Sequence, residues 1–293
     1  MSKAFFYSHR TAIMAILNIT PDSFSDGGQL FGEDFNQSVD AVLHAAQSAL
    51  DAGADVLDIG GESTRPGAAE ISLDEELCRV IPMIKALKQV FPHAVLSIDT
   101  RKSEVARQAV EAGARIINDV SGLQYDPGMI AVAADTGVSL VIMHTQGTPQ
   151  TMQHNPAYPR GVLAEVMTFF ERQIALATRH GISPNRIILD PGFGFGKTID
   201  HNLQLLAQLN IFQPLGFPLL AGASRKSFLT LGQGEPETDI ASKQYHRDLL
   251  TAASLTTAIA NGANMVRIHN VPALAPVIRL ADRLYKPTPV LVS

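Results

Sequence analysis

The 293 residues are 46% hydrophobic and 17% charged, enough apolar surface for a large core and no bias toward disorder. A net charge of −5 leaves no basic footprint for nucleic acid or an anionic membrane, so an anionic ligand has to be held by local cations and backbone amides. One cysteine, Cys78, excludes an intrachain disulfide and a cysteine metal cluster, and no segment approaches the roughly 18 apolar residues of a membrane span.

Within Met1–Arg10 the apolar stretch Ala4–Tyr7 is far shorter than a signal-peptide core of about 7–15 residues. A cytoplasmic enzyme is the expectation. Cys78 lies in the apolar-periodic stretch Leu73–Val90, which predicts inert helix packing for its thiol.

In chain order, the first strand-like runs are Ala12–Thr20, ending at Asn18, Val56–Gly61, leading to Glu62, Leu96–Thr100, ending at Asp99, and Ile116–Val120, carrying Asn118 and Asp119. Four more follow: Leu140–Thr145, ending at His144, Ile187–Gly192, ending at Asp190, Pro218–Ser224, leading to Arg225 and Lys226, and Met265–Asn270, carrying Arg267 and His269. A strand buried on both faces reads as a continuous apolar run, so polar residues at its last positions point to one end of a parallel sheet, where α/β enzymes build their sites.

Between the runs, apolar residues recur at helical spacing, as in Val39, Leu43, Ala46 and Leu50. The predicted helices cover 36–53, 72–91, 102–113, 127–137, 160–181, 200–213, 240–262 and 272–285. Gly53, Gly113, Gly137, Gly181 and Gly262 stand where a left-handed residue closes a helix before the next strand. Strand, helix, glycine, strand is a βαβ repeat. An open doubly wound sheet uses strands of the same kind, but eight units favour a closed α/β TIM (β/α)₈ barrel, one domain over residues 1–293.

The segment Asn18-Ile19-Thr20-Pro21-Asp22-Ser23-Phe24-Ser25-Asp26-Gly27-Gly28 is too long and polar for a simple connector, though its Thr-Pro-Asp and Asp-Gly-Gly are also ordinary turn chemistry. Gly60-Gly61-Glu62-Ser63-Thr64-Arg65-Pro66-Gly67 combines glycines, hydroxyls and a cation, and with the first loop reads as a lid that closes on substrate. Asp99, Asn118 and Asp190 could each cap the following helix. Converging on one barrel mouth, they instead match a flat heterocycle with an amidine-like N–H edge. In Asp190-Pro191-Gly192-Phe193-Gly194-Phe195-Gly196-Lys197 the glycines superficially suggest a dinucleotide loop, but the position in the sixth unit and the aromatics favour walls for a planar substrate.

Ser224-Arg225-Lys226-Ser227 and Arg267-Ile268-His269 follow strands seven and eight, the usual phosphate position in barrels. Arg225 also suits a plain salt bridge. His44, His93, His154, His180 and His201 read as surface residues, no His-Glu-x-x-His spacing occurs, and His144 serves equally as a site residue or a structural hydrogen-bonding group.

These four long motifs, in order across nearly the whole chain, closely resemble those of dihydropteroate synthases. The resemblance implies a (β/α)₈ barrel that joins 6-hydroxymethyl-7,8-dihydropterin diphosphate to p-aminobenzoate with release of pyrophosphate in folate synthesis, as a homodimer inhibited by sulfonamides. Carried over by position, Asp99, Asn118, Asp190 and Lys226 grip the pterin, Met143 and Gly222 line its slot, and Asn18, Arg267 and His269 hold the diphosphate, Asn18 through Mg²⁺. Thr64, Arg65, Pro66, Phe195 and Ser227 form the p-aminobenzoate pocket, with Ser227 at a helix start. Asp99, Asp190, Lys226 and Arg267 are the implied catalytic residues. The chain departs from the family pattern at Asn270, usually Asp, and at Thr145, often Met. A methyltetrahydrofolate-corrinoid methyltransferase has no use for the two cationic motifs, and a non-catalytic pterin-binding barrel has no need of both long loops.

Overall fold

The computed structural model describes residues 10–19, 35–233 and 239–286. The Thr20–Gly28 portion of the first loop motif lies outside these residues. Eight parallel strands alternate with helices: β1 (Ala12–Asn18), α1 (Phe35–Asp51), β2 (Val56–Gly60), α2 (Leu73–Val90), β3 (Val95–Asp99), α3 (Ser103–Ala112), β4 (Ile116–Asp119) and α4 (Met129–Thr136). The second half continues with β5 (Ser139–Met143), α5 (Val162–Arg179), β6 (Ile187–Asp190), α6 (Ile199–Ala207), β7 (Leu220–Ala221), α7 (Ile240–Ala260), β8 (Met265–Ile268) and α8 (Val271–Tyr285).

The sheet runs β6-β5-β4-β3-β2-β1-β8-β7. A parallel bridge between Leu189 and Leu219 and a 2.9 Å hydrogen bond from Leu189 N to Pro218 O join its two edges. The sheet is therefore a barrel, closed at its β6–β7 seam by a bridge rather than a full ladder. That seam is also where sequence and structure differ most: Pro218–Ser224 reads as a long strand but only Leu220–Ala221 pairs as one, because Pro218 cannot donate and the chain soon turns at Ser224 and Arg225. The expected helix over 200–213 likewise stops at Ala207 and continues as a 3₁₀ segment, Leu209–Leu215, that contains Pro214.

Period-two alternation explains what faces inward. Ala12, Met14, Val56, Ile116, Val141, Ile188, Leu220 and Met265 form one apolar cluster inside the barrel, while Leu57, Ile98, Ile117, Ile142, Leu189, Val266 and Ile268 pack outward in the cluster shared with the helices. Two residues beyond an inner one, the side chain again points inward, now at the C-terminal mouth. That step leads from Val56 to Asp58, Ile116 to Asn118, Val141 to Met143, Ile188 to Asp190, Leu220 to Gly222 and Met265 to Arg267. The pairing register places Asn18 beside Gly60, Gly60 beside Asp99 and Asp99 beside Asn118 in one row.

All five glycines expected at helix-to-strand turns have positive φ, from 63° at Gly137 to 123° at Gly113. Cys78 departs from its expected packing role: it lies on the exposed face of α2, while Val80, Met83, Ile84 and Leu87 fill the buried stripe. His201 is half-buried, closing a reciprocal cap with Thr198 at the start of α6 and meeting the Tyr158 ring edge-on at 4.8 Å.

Candidate active site

At the barrel mouth a cation is clamped between carboxylates. Arg267 on β8 donates from Nε to Asp58 Oδ2 and from Nη2 to Asp99 Oδ2, each at 2.6 Å. Asp58 Oδ2 also accepts from Asn118 Nδ2 at 3.0 Å, so β2, β3, β4 and β8 meet in one polar group. Burial pushes the Asp99 carboxyl up to about 7; the Arg267 charge opposes this and the Asp58 and Glu76 carboxylates add to it. Asp190, on the opposite wall, is likewise raised by burial, and the Lys226 charge and the Gly192 N–H, which donates to Oδ1 at 2.7 Å, hold it down. Gly222 lies between the two walls: a Cβ there would come 3.7 Å from Asp190 Oδ2 and 3.9 Å from Arg267 Cβ. Met143, 2% exposed and in register with Asp190, completes the wall.

Beside this slot, Lys226 spans two strands' loops. Its ammonium donates to Phe193 O and sits 4.4 Å from the centre of the Phe195 ring. Burial lowers it to about 8, with Asp190 raising it and Arg267 lowering it further. Ser227 is exposed and starts a 3₁₀ turn, Ser227–Thr230, so the expected helix start has no regular helix behind it; the residue offers a hydroxyl and a backbone N–H. A cavity of about 230 Å³ lined by Arg225, Lys226, Ser227 and Arg247 opens here.

His269 differs in charge from the expected phosphate clamp. Burial first, then the positive charges of Arg225, Arg267 and Arg65, depress its imidazole to about 3, so it is neutral near pH 7. Ser224 Oγ accepts from His269 N at 3.3 Å and lies 3.0 Å from Nδ1, so the hydroxyl holds the ring by its Nδ1 edge. Arg225 takes the salt-bridge alternative: it is paired through Nε and Nη2 with Asp248 of α7 at 2.7 and 2.9 Å.

The loop Glu62–Ile71 is pinned at its base. Glu62 accepts from Arg101 Nε and Nη2 at 3.0 Å, from Lys102 Nζ at 3.3 Å and from Ile71 N at 3.2 Å. Thr64 is half-buried, Arg65 and Pro66 are exposed, and Gly67 N donates to Pro149 O at 2.9 Å. Asn18 ends β1 with its amide oxygen 3.6 Å from where a Cβ on Gly60 would lie.

A sequence profile for pterin binding enzymes matches residues 14–269. The dihydropteroate synthase of Synechocystis sp. is 46% identical, covering 96% of this chain and 93% of its own, and that of Escherichia coli K12 is 44% identical, covering 92% and 90%. The chain belongs to the dihydropteroate synthase family. Like its relatives, it is a transferase. A Yersinia pestis dihydropteroate synthase solved with a sulfonamide drug superposes with a TM-score of 0.83 at 41% identity over 94% of each chain. One from Xanthomonas albilineans in complex with 7,8-dihydropteroate gives 0.80 at 38% identity, over 96% of this chain and 95% of its own.

Of the synthase residues expected from sequence, the structure brings together Asp99, Asn118, Met143, Asp190, Gly222, Lys226 and Arg267, with Phe195 under Lys226 and His269 behind Arg267. Asp58 is not among the residues expected from sequence, because it lies inside the strand-two run and not at its end. A lone carboxylate inside the run Val56–Gly60 was the available signal: it is fully buried, and such a group needs a partner. Asn270, the departure from the family pattern, caps α8 through Ala273 N at 3.2 Å and donates to Asp248 Oδ2 at 2.8 Å.

Proposed function

We propose that this synthase condenses 6-hydroxymethyl-7,8-dihydropterin diphosphate with p-aminobenzoate to give 7,8-dihydropteroate and pyrophosphate. The observation that carries the reading is the pairing of a closed acidic slot, Asp99, Asn118 and Asp190, with Lys226 and Arg267 at its rim. Carboxylates and an amide suit the N–H edge of a pterin; the cations suit the leaving diphosphate and an aryl carboxylate.

The bond from the pterin methylene carbon to the diphosphate oxygen breaks first, leaving a pterin cation and diphosphate, and the arylamine nitrogen then attacks that carbon. The amine is neutral and needs no strong base, and its proton leaves to water or to the released diphosphate. The residues act electrostatically. Asp99 and Asp190 stabilise positive charge that develops on the pterin as the C–O bond lengthens, and Arg267 with the His269 imidazole faces the departing oxygens. Lys226, over Phe195, borders the place of the aryl ring, with Thr64, Arg65, Pro66 and Ser227 at its outer edge.

Mg²⁺ fits this scheme as an ion that arrives with the diphosphate. Among the described residues no group of three His, Cys, Asp or Glu side chains could hold a metal, and Asn18 supplies one amide oxygen at the mouth. Held there, magnesium would neutralise leaving-group charge. Leu255, Ile259, Leu274 and Ile278 belong to the barrel core. A homodimer is instead supported by Tyr245 and Leu249 on α7 and Leu280, Leu284 and Tyr285 on α8, which are 50–67% exposed on neighbouring helices. Pyrophosphate release in the presence of each substrate alone and of both tests the function; release from the pterin diphosphate alone at the same rate would count against it.

A further inference from the structure

The loop after β6 is held by its carbonyls, and the group at its centre is a buried lysine with no assigned role. Lys197, 3% exposed, directs Nζ at Gly192 O (2.9 Å), Phe195 O (3.0 Å), His144 O (3.3 Å) and His144 Nδ1 (2.9 Å). All four partners are acceptors. An ammonium has three protons for them and a neutral amine two, so the charged form suits the site although burial lowers it well below the ordinary lysine value. His144 is matched to this: burial and the Lys197 charge depress its imidazole to about 2, which keeps an Nδ1 lone pair available.

The neighbouring carbonyls are also taken by side chains. Phe193 O accepts from Lys226, Gly194 O from Gln153 Nε2 at 2.6 Å, and Gly196 O from the Tyr158 hydroxyl at 2.7 Å. Five consecutive carbonyls, 192 to 196, thus accept from side chains, two of them from Lys197 at the end of the turn itself. The turn packs directly on the segment after β5: a Cβ on Gly192 would lie 2.0 Å from His144 O and one on Gly196 2.4 Å from Gln146 O. Phe195 rides on this turn, half-buried, with its ring 4.4 Å from the Lys226 ammonium.

We propose that Lys197 is a positioning residue, an internal tethered cation that folds the Gly192–Lys197 turn around its ammonium and so sets Phe195 against Lys226 for the arylamine substrate. Among the described residues His144 supplies the one side-chain acceptor of that cation. The proposal rests on the reading that Phe195 and Lys226 border the p-aminobenzoate ring. Four acceptors at 2.9–3.3 Å are the surroundings a free ammonium or potassium ion would take, so the cation itself, rather than the lysine stem, is what the turn requires.

The test compares K197A with K197M in steady-state pyrophosphate release. K197A opens a polar hole; K197M fills it without charge. In K197A the KM for p-aminobenzoate rises about tenfold or more while that for the pterin diphosphate changes less than about threefold, the split expected when binding of one substrate is lost. Ammonium or potassium chloride, against lithium chloride at equal ionic strength, lowers the raised KM of K197A and leaves K197M unaffected. An unchanged KM for p-aminobenzoate, an equal loss for both substrates, or a raised KM without a cation response overturns the proposal. Where K197A does not fold by thermal melting, H144F, which removes one acceptor and keeps the carbonyls, shows the same split at smaller size; its absence overturns the proposal as well. Wild-type turnover separates the two levels: no dependence of release on both substrates defeats the functional reading, whereas normal wild-type turnover with a silent K197A defeats only the positioning role.

Discussion

Asp58 and Arg267, 209 positions apart in the chain, meet at 2.6 Å through one carboxylate oxygen and the guanidinium Nε. The second oxygen, Asp58 Oδ1, is buried and has no hydrogen-bond partner among the described residues. A buried acid that grips Arg267 and Asn118 through its other oxygen orients those two groups. Removing one partner of a buried ion pair leaves the other charge uncompensated, at a typical cost of about 3–5 kcal/mol.

The D58A variant is therefore expected to lose stability of that order and to lose pterin diphosphate turnover by about a hundredfold or more. D58N, which keeps the shape and one acceptor, falls between. Chemical denaturation and kcat/KM for the pterin diphosphate check this; full activity in D58A would remove Asp58 from the site.

Turnover is expected to have an alkaline limit set by Lys226. Its ammonium, lowered to about 8 by burial, is charged below that value and neutral above it. The ratio kcat/KM is expected to fall as pH rises through about 8. In K226R the guanidinium keeps its charge, so residual activity loses this limb. A profile flat to pH 9 in the wild type would contradict the assignment.

Asp99 is expected to set the opposite limb, with a consequence for stability. Its folded value, about 7, lies above the unfolded carboxyl value, so the folded protein binds this proton more tightly. The sign follows: this group's contribution to stability is fully present below the unfolded value, near 4, and is lost as pH rises through about 7. Activity moves the other way, since the ionised carboxylate pairs with Arg267. D99N is expected to flatten the change in melting temperature between pH 5 and 7.5 relative to wild type, measured by calorimetry.

N270D exchanges the donor to Asp248 for a second carboxylate while keeping the helix cap. Asn270 helps hold the Asp248 carboxyl below its usual value, so the exchange raises Asp248 and costs about 1 kcal/mol near neutral pH. The loss shrinks as pH falls and one carboxyl of the pair protonates. Denaturation midpoints at pH 5 and pH 8 read the difference.

Charged substitutions on the exposed face of α8 address assembly. L280E with L284E places two carboxylates where two exposed leucines now lie, four residues apart on one helix face. Sedimentation is expected to show dimeric wild type and a monomeric double variant with the same helix content. A monomeric wild type would end the homodimer reading.

Legibility in the sequence followed local physics. Each of the eight strands lies within or beside its apolar run, and the turn glycines adopt positive φ, because pattern and φ are properties of neighbouring residues. Asp99, Asn118, Asp190 and Arg267 were visible as polar residues closing buried runs. Asp58 was hidden in the middle of such a run, where its role depends on a partner from the last strand. Cys78 was misplaced because it sits beside the buried stripe of α2, one position off a face that spacing alone defines loosely.

By itself, then, the sequence determined eight βα units, the end of the sheet that carries polar chemistry, and, through four long motifs, the family. Only the tertiary structure decided that the sheet closes at Leu189 and Leu219, that Arg267 is clamped between Asp58 and Asp99, that His269 is neutral, and that Lys197 sits inside a ring of carbonyls. The reason is physical: secondary structure and turns are set by residues a few positions apart, whereas burial, ion pairing and the proton affinities that follow depend on groups brought together from opposite ends of the chain.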